Sequence, residues 1–376
     1  MIDPMTYGRA ALAVLTLLLA GLTPADVDGP AWESWRHIPG VFDVVGPRSD
    51  GRLLVAGSGR LFLVDAAGMV LPFASGPGGY ADDAGAEAYL AVSPGLHVAG
   101  SGCDFAADDA FVLRLHQPYG VTRVAASGTA QPFAVVAGVE SLNGIAFDTT
   151  GKFDHRLLVS GPVHGRTAIV AIDCRGGTQV ITDAAPVLEG GLAVAPLGFG
   201  AFGGALVAPD ELSGRIYAID PDGKVRSVAE SGLATGGDIG IESVGFVPSG
   251  FTRAGKLYYA DRATANNPHP GTDSLLRLDA HALTRLGVRD GDMLAATEGG
   301  ATMIAVHCTA SCSVTPIIGT PTTAHGEGHL LAVAGGPAAG PTAAPATFNV
   351  PLGSVVLVVA VVAAAIAALA IAWRRR

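Results

Sequence analysis

Apolar positions along this chain come in short runs, not in the three-to-four spacing of an amphipathic helix. Runs of Val, Ile, Leu and Ala recur between clusters of Gly, Pro, Asp and Ser, which is how a succession of short strands and tight turns reads. One stretch carries such runs at 143–148, 156–160, 168–173 and 178–182. The next repeats them at 191–196, 205–209, 215–220 and 224–229. The third run ends in Asp ahead of a Gly turn, as in Asp220 to Gly223 and Asp65 to Gly68, a hairpin signal.

The same phrase returns in four more places. Runs stand at 52–56, 60–65 and 69–73, and again at 89–93, 111–115 and 121–125. Two later groups cover 243–247, 256–260 and 274–278, then 292–296, 302–306 and 313–317. Six units of about 40 to 55 residues, each with four strands, predict an all-β six-bladed propeller. Read in chain order, each group of runs makes one blade. A sandwich needs about seven strands in all, far fewer than the runs present.

The two ends follow a different pattern. Residues 1–25 hold an apolar core from Ala10 to Gly21 behind Arg9, with small residues before Asp26, and read as a secretory signal. Leu352 to Trp373 gives 22 residues without a charge, followed by Arg374, Arg375 and Arg376. That length spans a bilayer as a helix, and the basic tail marks the cytoplasmic side. Residues 335–351, rich in Gly, Pro, Ala and Thr, read as a stalk. The expected protein is single-pass and type I in the cell membrane, with residues 26–334 outside the cell as the propeller.

Composition sharpens this picture. With the end segments set aside, 19 Lys+Arg face 32 Asp+Glu. An acidic body of this kind repels nucleic acid. Export makes disulfides the expectation for the four cysteines, Cys308 with Cys312 in a hairpin and Cys103 with Cys174 across neighbouring units, free thiols being the alternative.

At its strands the sequence resembles the six-bladed propellers of the NHL-repeat and gluconolactonase-like lactonase group. The resemblance runs from about Val41 to Ala334 and is carried by Asn143 to Asp148 and by Gly214 to Gly223. It implies a divalent metal held by a Glu of the first blade, an Asn in an Asn-Gly opening and an Asp in an Asp-Gly opening. Asn143-Gly144 matches the second of these. Glu189-Gly190 is similar to the Glu-Gly opening but lies in a middle blade, Asp28 offers Asp for Glu, and Glu242 stands where the Asp-Gly opening is sought.

Acidic and amide residues recur just before the innermost strand of each unit: Glu87, Glu140 with Asn143, Glu189, Glu242 and Glu327. Six-fold geometry aims such residues at the channel. Glu87, Asn143, Glu189 and Glu242 are therefore the candidate ligands for Ca²⁺ or another divalent cation, turn capping being the alternative. The long polar loop from Asp261 to Asp273 offers Asn266, Asn267, His269 and Asp273 for ligand binding, and Asp210 with Glu211 is a second candidate pair. Three motif matches fail on context: Gly198/Gly200/Gly203 and Gly250 to Lys256 precede strands, not helices, and His325 to His329 places its Glu wrongly for a helical zinc motif. The expected function is ligand or partner binding on one rim, with a cation in the channel; the alternative is a metal-dependent lactonase-like hydrolase.

Overall fold

The computed structural model describes residues 30–335. The expected signal segment, most of the expected stalk, and the expected membrane helix and basic tail lie outside them. Among the described residues, no helix is long and apolar enough to cross a membrane.

Six four-stranded antiparallel sheets surround one axis. From inside outward, blade 1 is Val41–Val45, Leu53–Gly57, Arg60–Val64 and Val70–Phe73. Blade 2 is Leu90–Val92, Ala110–Arg114, Gly120–Val124 and Ala130–Val135. Blade 3 runs Gly144–Phe147, Leu157–Val163, Arg166–Ile172 and Thr178–Ala185, and blade 4 Ala193–Val194, Leu206–Asp210, Arg215–Ile219 and Val225–Glu230. The propeller reading of the sequence holds.

The last two blades depart from the expected chain order. Ile241–Phe246 is the inner strand of blade 5, yet its neighbour is Met293–Thr297, followed by Met303–Cys308 and Cys312–Ile318. The intervening strands Lys256–Asp261 and Ser274–Asp279 belong to blade 6. There they pair with Gly326–Val333 on the inside and Glu33–His37 on the outside. The two blades are thus interleaved, the first two of three crossings passing through a one-turn helix, α1 (Phe251–Ala254) or α2 (Ala280–Thr284), and the third, from Ile318 to Gly326, through a loop. Blade 6 also joins the first and last strands of the described chain, which closes the ring.

Packing explains why the runs are so apolar. A blade is covered on both faces by its neighbours, so a middle strand such as Leu53–Gly57 is buried at every position instead of alternating. Six hydrophobic clusters result, one at each blade interface. Leu54, Leu61 and Leu63 of blade 1 meet Leu90 and Val112 of blade 2, and the series ends where Trp35, Tyr258 and Leu275 of blade 6 meet Val41 and Val55 of blade 1. Both expected disulfides are formed, Cys103–Cys174 and Cys308–Cys312.

Candidate functional site: an acidic cavity at one mouth of the channel

Residues just before the inner strands gather around a cavity of about 480 Å³. All four expected cation ligands, Glu87, Asn143, Glu189 and Glu242, line it, together with Glu327. Glu211, Asp238, Glu298, His325, Arg262, Thr264 and Tyr89 complete its polar lining. Glu140 does not reach it; its carboxylate accepts the backbone N–H of His164 on the surface.

The tightest donor group was not the expected one. His325 Nε2 lies 2.9 Å from Glu298 Oε1 and 3.3 Å from Glu327 Oε1. All three residues are buried, with their donor atoms within 4.8 Å of one another. The placement follows from the strand that begins at Gly326. Side chains two apart share a face, and His325 and Glu327 both line the cavity; His329, past the left-handed Gly328, turns its ring to Asp43 and the Ile145 carbonyl. The glycines between them are needed for close approach: a Cβ on Gly326 would meet the Tyr259 ring at 2.1 Å, and one on Gly328 the Phe42 carbonyl at 2.4 Å. Alternation in a strand, not helical spacing, is the signal that makes sense of the His-Gly-Glu-Gly-His run.

Supporting contacts hold this cluster in place. Asp261 is buried and accepts the His325 backbone N–H at 2.8 Å and the Thr272 hydroxyl at 2.5 Å. Arg262 reaches into the cavity, pairs with Glu87 and lies 3.4 Å from Glu327. The Tyr89 hydroxyl donates to Glu242. Gly190 adopts φ +72°, and a Cβ there would strike the Glu242 carbonyl oxygen at 1.6 Å, so glycine is required where Glu189 and Glu242 converge.

Crowding of carboxylates sets the electrostatics. Burial, then the charges of Glu327 and Glu298, push the Glu242 carboxyl well above its ordinary range. Burial raises Glu327 to about 7 against the opposing hydrogen bond from His325. Burial and then Glu298 raise Glu211 to about 8, and burial raises Glu189 against Asn143. Burial draws His325 down, but its hydrogen bonds to Glu298 and Glu327 outweigh it and carry the imidazole to about 9. Like charges thus hold protons that a cation would replace.

The other expected binding residues lie apart, except Glu211. Asp210 accepts from Leu212 N, Ser213 N and the Ser213 hydroxyl, capping the turn that carries Glu211 into the cavity. Asn266 sits at φ +67° in a turn. Asn267 accepts the His269 N–H at 2.7 Å, His269 Nδ1 contacts the Thr322 carbonyl, and Asp273 accepts the Ala263 N–H at 2.9 Å. These four shape the loop, and only its first residues, Arg262 to Ala265, line the cavity. Asn143 uses its amide on the Leu188 carbonyl and the Ser160 hydroxyl.

No family model matches the chain, and no curated protein matches it. Among solved structures, it is similar to virginiamycin B lyase from Staphylococcus aureus at 11% identity and TM-score 0.40, covering 80% of this chain and 90% of that one. It is similar to regucalcin, a calcium-binding protein from Agrobacterium tumefaciens, at 15% identity and TM-score 0.35, covering 63% and 74%. A gluconolactonase from Xanthomonas campestris stands at 16% identity and TM-score 0.36, covering 63% and 71%. The likeness is one of fold. Residue roles are not carried across it.

Proposed function

We propose that this propeller is a membrane-tethered extracellular protein that holds a divalent cation in its acidic cavity and, through it, binds an oxygen-bearing ligand. The observation that carries the cation is the convergence of Glu298, His325 and Glu327 within 4.8 Å. His325 Nδ1 is buried without a hydrogen-bond partner, which supports a cluster built around its ring. Two carboxylates and an imidazole suit Zn²⁺ or Mn²⁺, whereas Ca²⁺ takes oxygen alone. When bound, the cation supplies a Lewis acid that polarises a ligand oxygen. Arg262 faces the same cavity and offers a bidentate donor to an anionic ligand group. Tethering rests on the uncharged run 352–373 and the three arginines after it.

A hydrolytic reading has one observation in its favour. The Glu211 carboxyl, raised to about 8, is matched to proton transfer near neutral pH, as a lactonase-like reaction requires. Chelator-treated protein titrated with Zn²⁺, Mn²⁺ and Ca²⁺, followed by assay on a lactone panel, separates the readings. One cation per chain without turnover supports binding. Cation-dependent turnover lost in Glu211→Gln supports hydrolysis. No cation binding by the intact protein overturns both.

A further inference from the structure

Away from the rim cavity, blade 5 presents an Asp-His-Ser row. Met293 pairs with Val306 and His307 pairs with Ser313 in the antiparallel ladder. Asp292, one residue before its strand, therefore stands beside His307, which stands beside Ser313. Residues opposite one another in such a ladder share a face, with Cβ atoms about 4.5–5.5 Å apart. The Asp292–His307 contact is made: Oδ1 to Nδ1 is 2.7 Å. Asp292 is buried, and its second oxygen accepts the Arg289 N–H at 2.8 Å. That leaves Nε2 as the ring nitrogen of the half-exposed His307 not engaged by Asp292, with Ser313 its cross-strand partner.

All three side chains line one groove of about 240 Å³, walled by Leu286, Gly287 and Ala305, with Arg289 at its edge. None of them lines the rim cavity. The Cys308–Cys312 disulfide ties the very next pair of the ladder, so the His307–Ser313 juxtaposition is held by a covalent clamp. An orienting carboxylate, a base with one free nitrogen, and a hydroxyl at the facing ladder position of the same groove are the parts from which an activated serine is assembled.

We propose that Asp292, His307 and Ser313 form a second reactive site that accepts acyl groups from carboxylic esters. Ser313 Oγ attacks the ester carbonyl carbon and its proton passes to His307 Nε2. The bond to the leaving alcohol then breaks and the alcohol departs with that proton. Water, deprotonated by the same nitrogen, cleaves the Ser313 ester, releasing the acid and restoring the hydroxyl. Asp292 acts as a positioning residue by fixing the ring through Nδ1.

The test uses the full-length protein with a fluorophosphonate probe and p-nitrophenyl acetate, and peptide mass spectrometry to locate the adduct. Labelling is expected at Ser313 and not at the nearby exposed Ser311. Ser313→Ala, an exposed substitution that leaves the fold intact, abolishes it. His307→Ala slows it by about 10²–10⁴-fold, the range for loss of a general base, at unchanged melting temperature. Asp292→Asn slows labelling without moving the adduct. Absence of an adduct on Ser313, or an adduct formed equally fast in His307→Ala, overturns the proposal. Because the rim cavity shares no residue with this groove, His325→Ala is expected to leave labelling unchanged.

Discussion

His325 is the residue on which the rim site turns. Its ring sits between Glu298 and Glu327, with Asp261 fixing its backbone. Replacing His325 by Ala or Glu327 by Gln is expected to weaken cation affinity by about 100-fold or more, since even outer partners of a metal site contribute about 10–100-fold. Asn267→Ala, in the self-contained loop, is expected to leave affinity unchanged; titration calorimetry reads all three. Asp43 makes a second case. Fully buried, it accepts the N–H groups of Val44, Leu90 and His329 and pairs with the His329 ring, joining blades 1, 2 and 6. Asp43→Ala leaves that ring without its counter-charge and is expected to cost about 3–5 kcal/mol in denaturant unfolding. The sequence pointed to Glu87, Asn143, Glu189 and Glu242 because each stands at or shortly before the start of an inner strand. It hid His325 and Glu298 because their meeting depends on strands remote in the chain, and because a helical template was laid over residues that alternate in a strand.

Individual elements were legible as strands, and their partners less so. Short apolar runs announce themselves locally, but pairing is a long-range choice. Lys256–Asp261 follows Ile241–Phe246 directly in the chain, yet the latter pairs with Met293–Thr297. Nothing in either run encodes that preference; the packed helices α1 and α2 and the need to fill blade 6 decide it. Cys308–Cys312 was legible because its spacing closes a hairpin, and Cys103–Cys174 then followed as the remaining pair. They also differ in expected weight. Cys103–Cys174 closes 71 residues, joining blade 2 to blade 3, whereas Cys308–Cys312 closes 4. Loop-closure entropy makes the first worth about 4 kcal/mol and the second about 2. Chemical unfolding of the two Cys→Ser pairs is expected to rank them in that order; the reverse ranking contradicts the entropic account.

Across the whole molecule, the six interface clusters give the ring its stability, and the acidic mouth works against it. Glu211, Glu242 and Glu327 bind protons more tightly when folded than when unfolded, so their stabilising contribution is complete below about pH 4.5 and is lost as pH rises through their raised values. His325, raised to about 9, acts in the same direction at higher pH. Cation-free protein is therefore expected to melt lower at pH 8 than at pH 5, by about 3 °C or more, and a saturating divalent cation is expected to abolish most of that drop. Calorimetric scans at both pH values read it directly.

The central claim is that the cation sits among Glu298, His325 and Glu327. Anomalous diffraction from crystals soaked in Mn²⁺ or Zn²⁺ tests it with the fewest intervening steps. The account predicts one strong peak about 2.0–2.2 Å from His325 Nε2 and from oxygens of Glu298 and Glu327. A peak held by Glu87, Asn143 and Glu189 without His325, or no peak in the cavity, would contradict it.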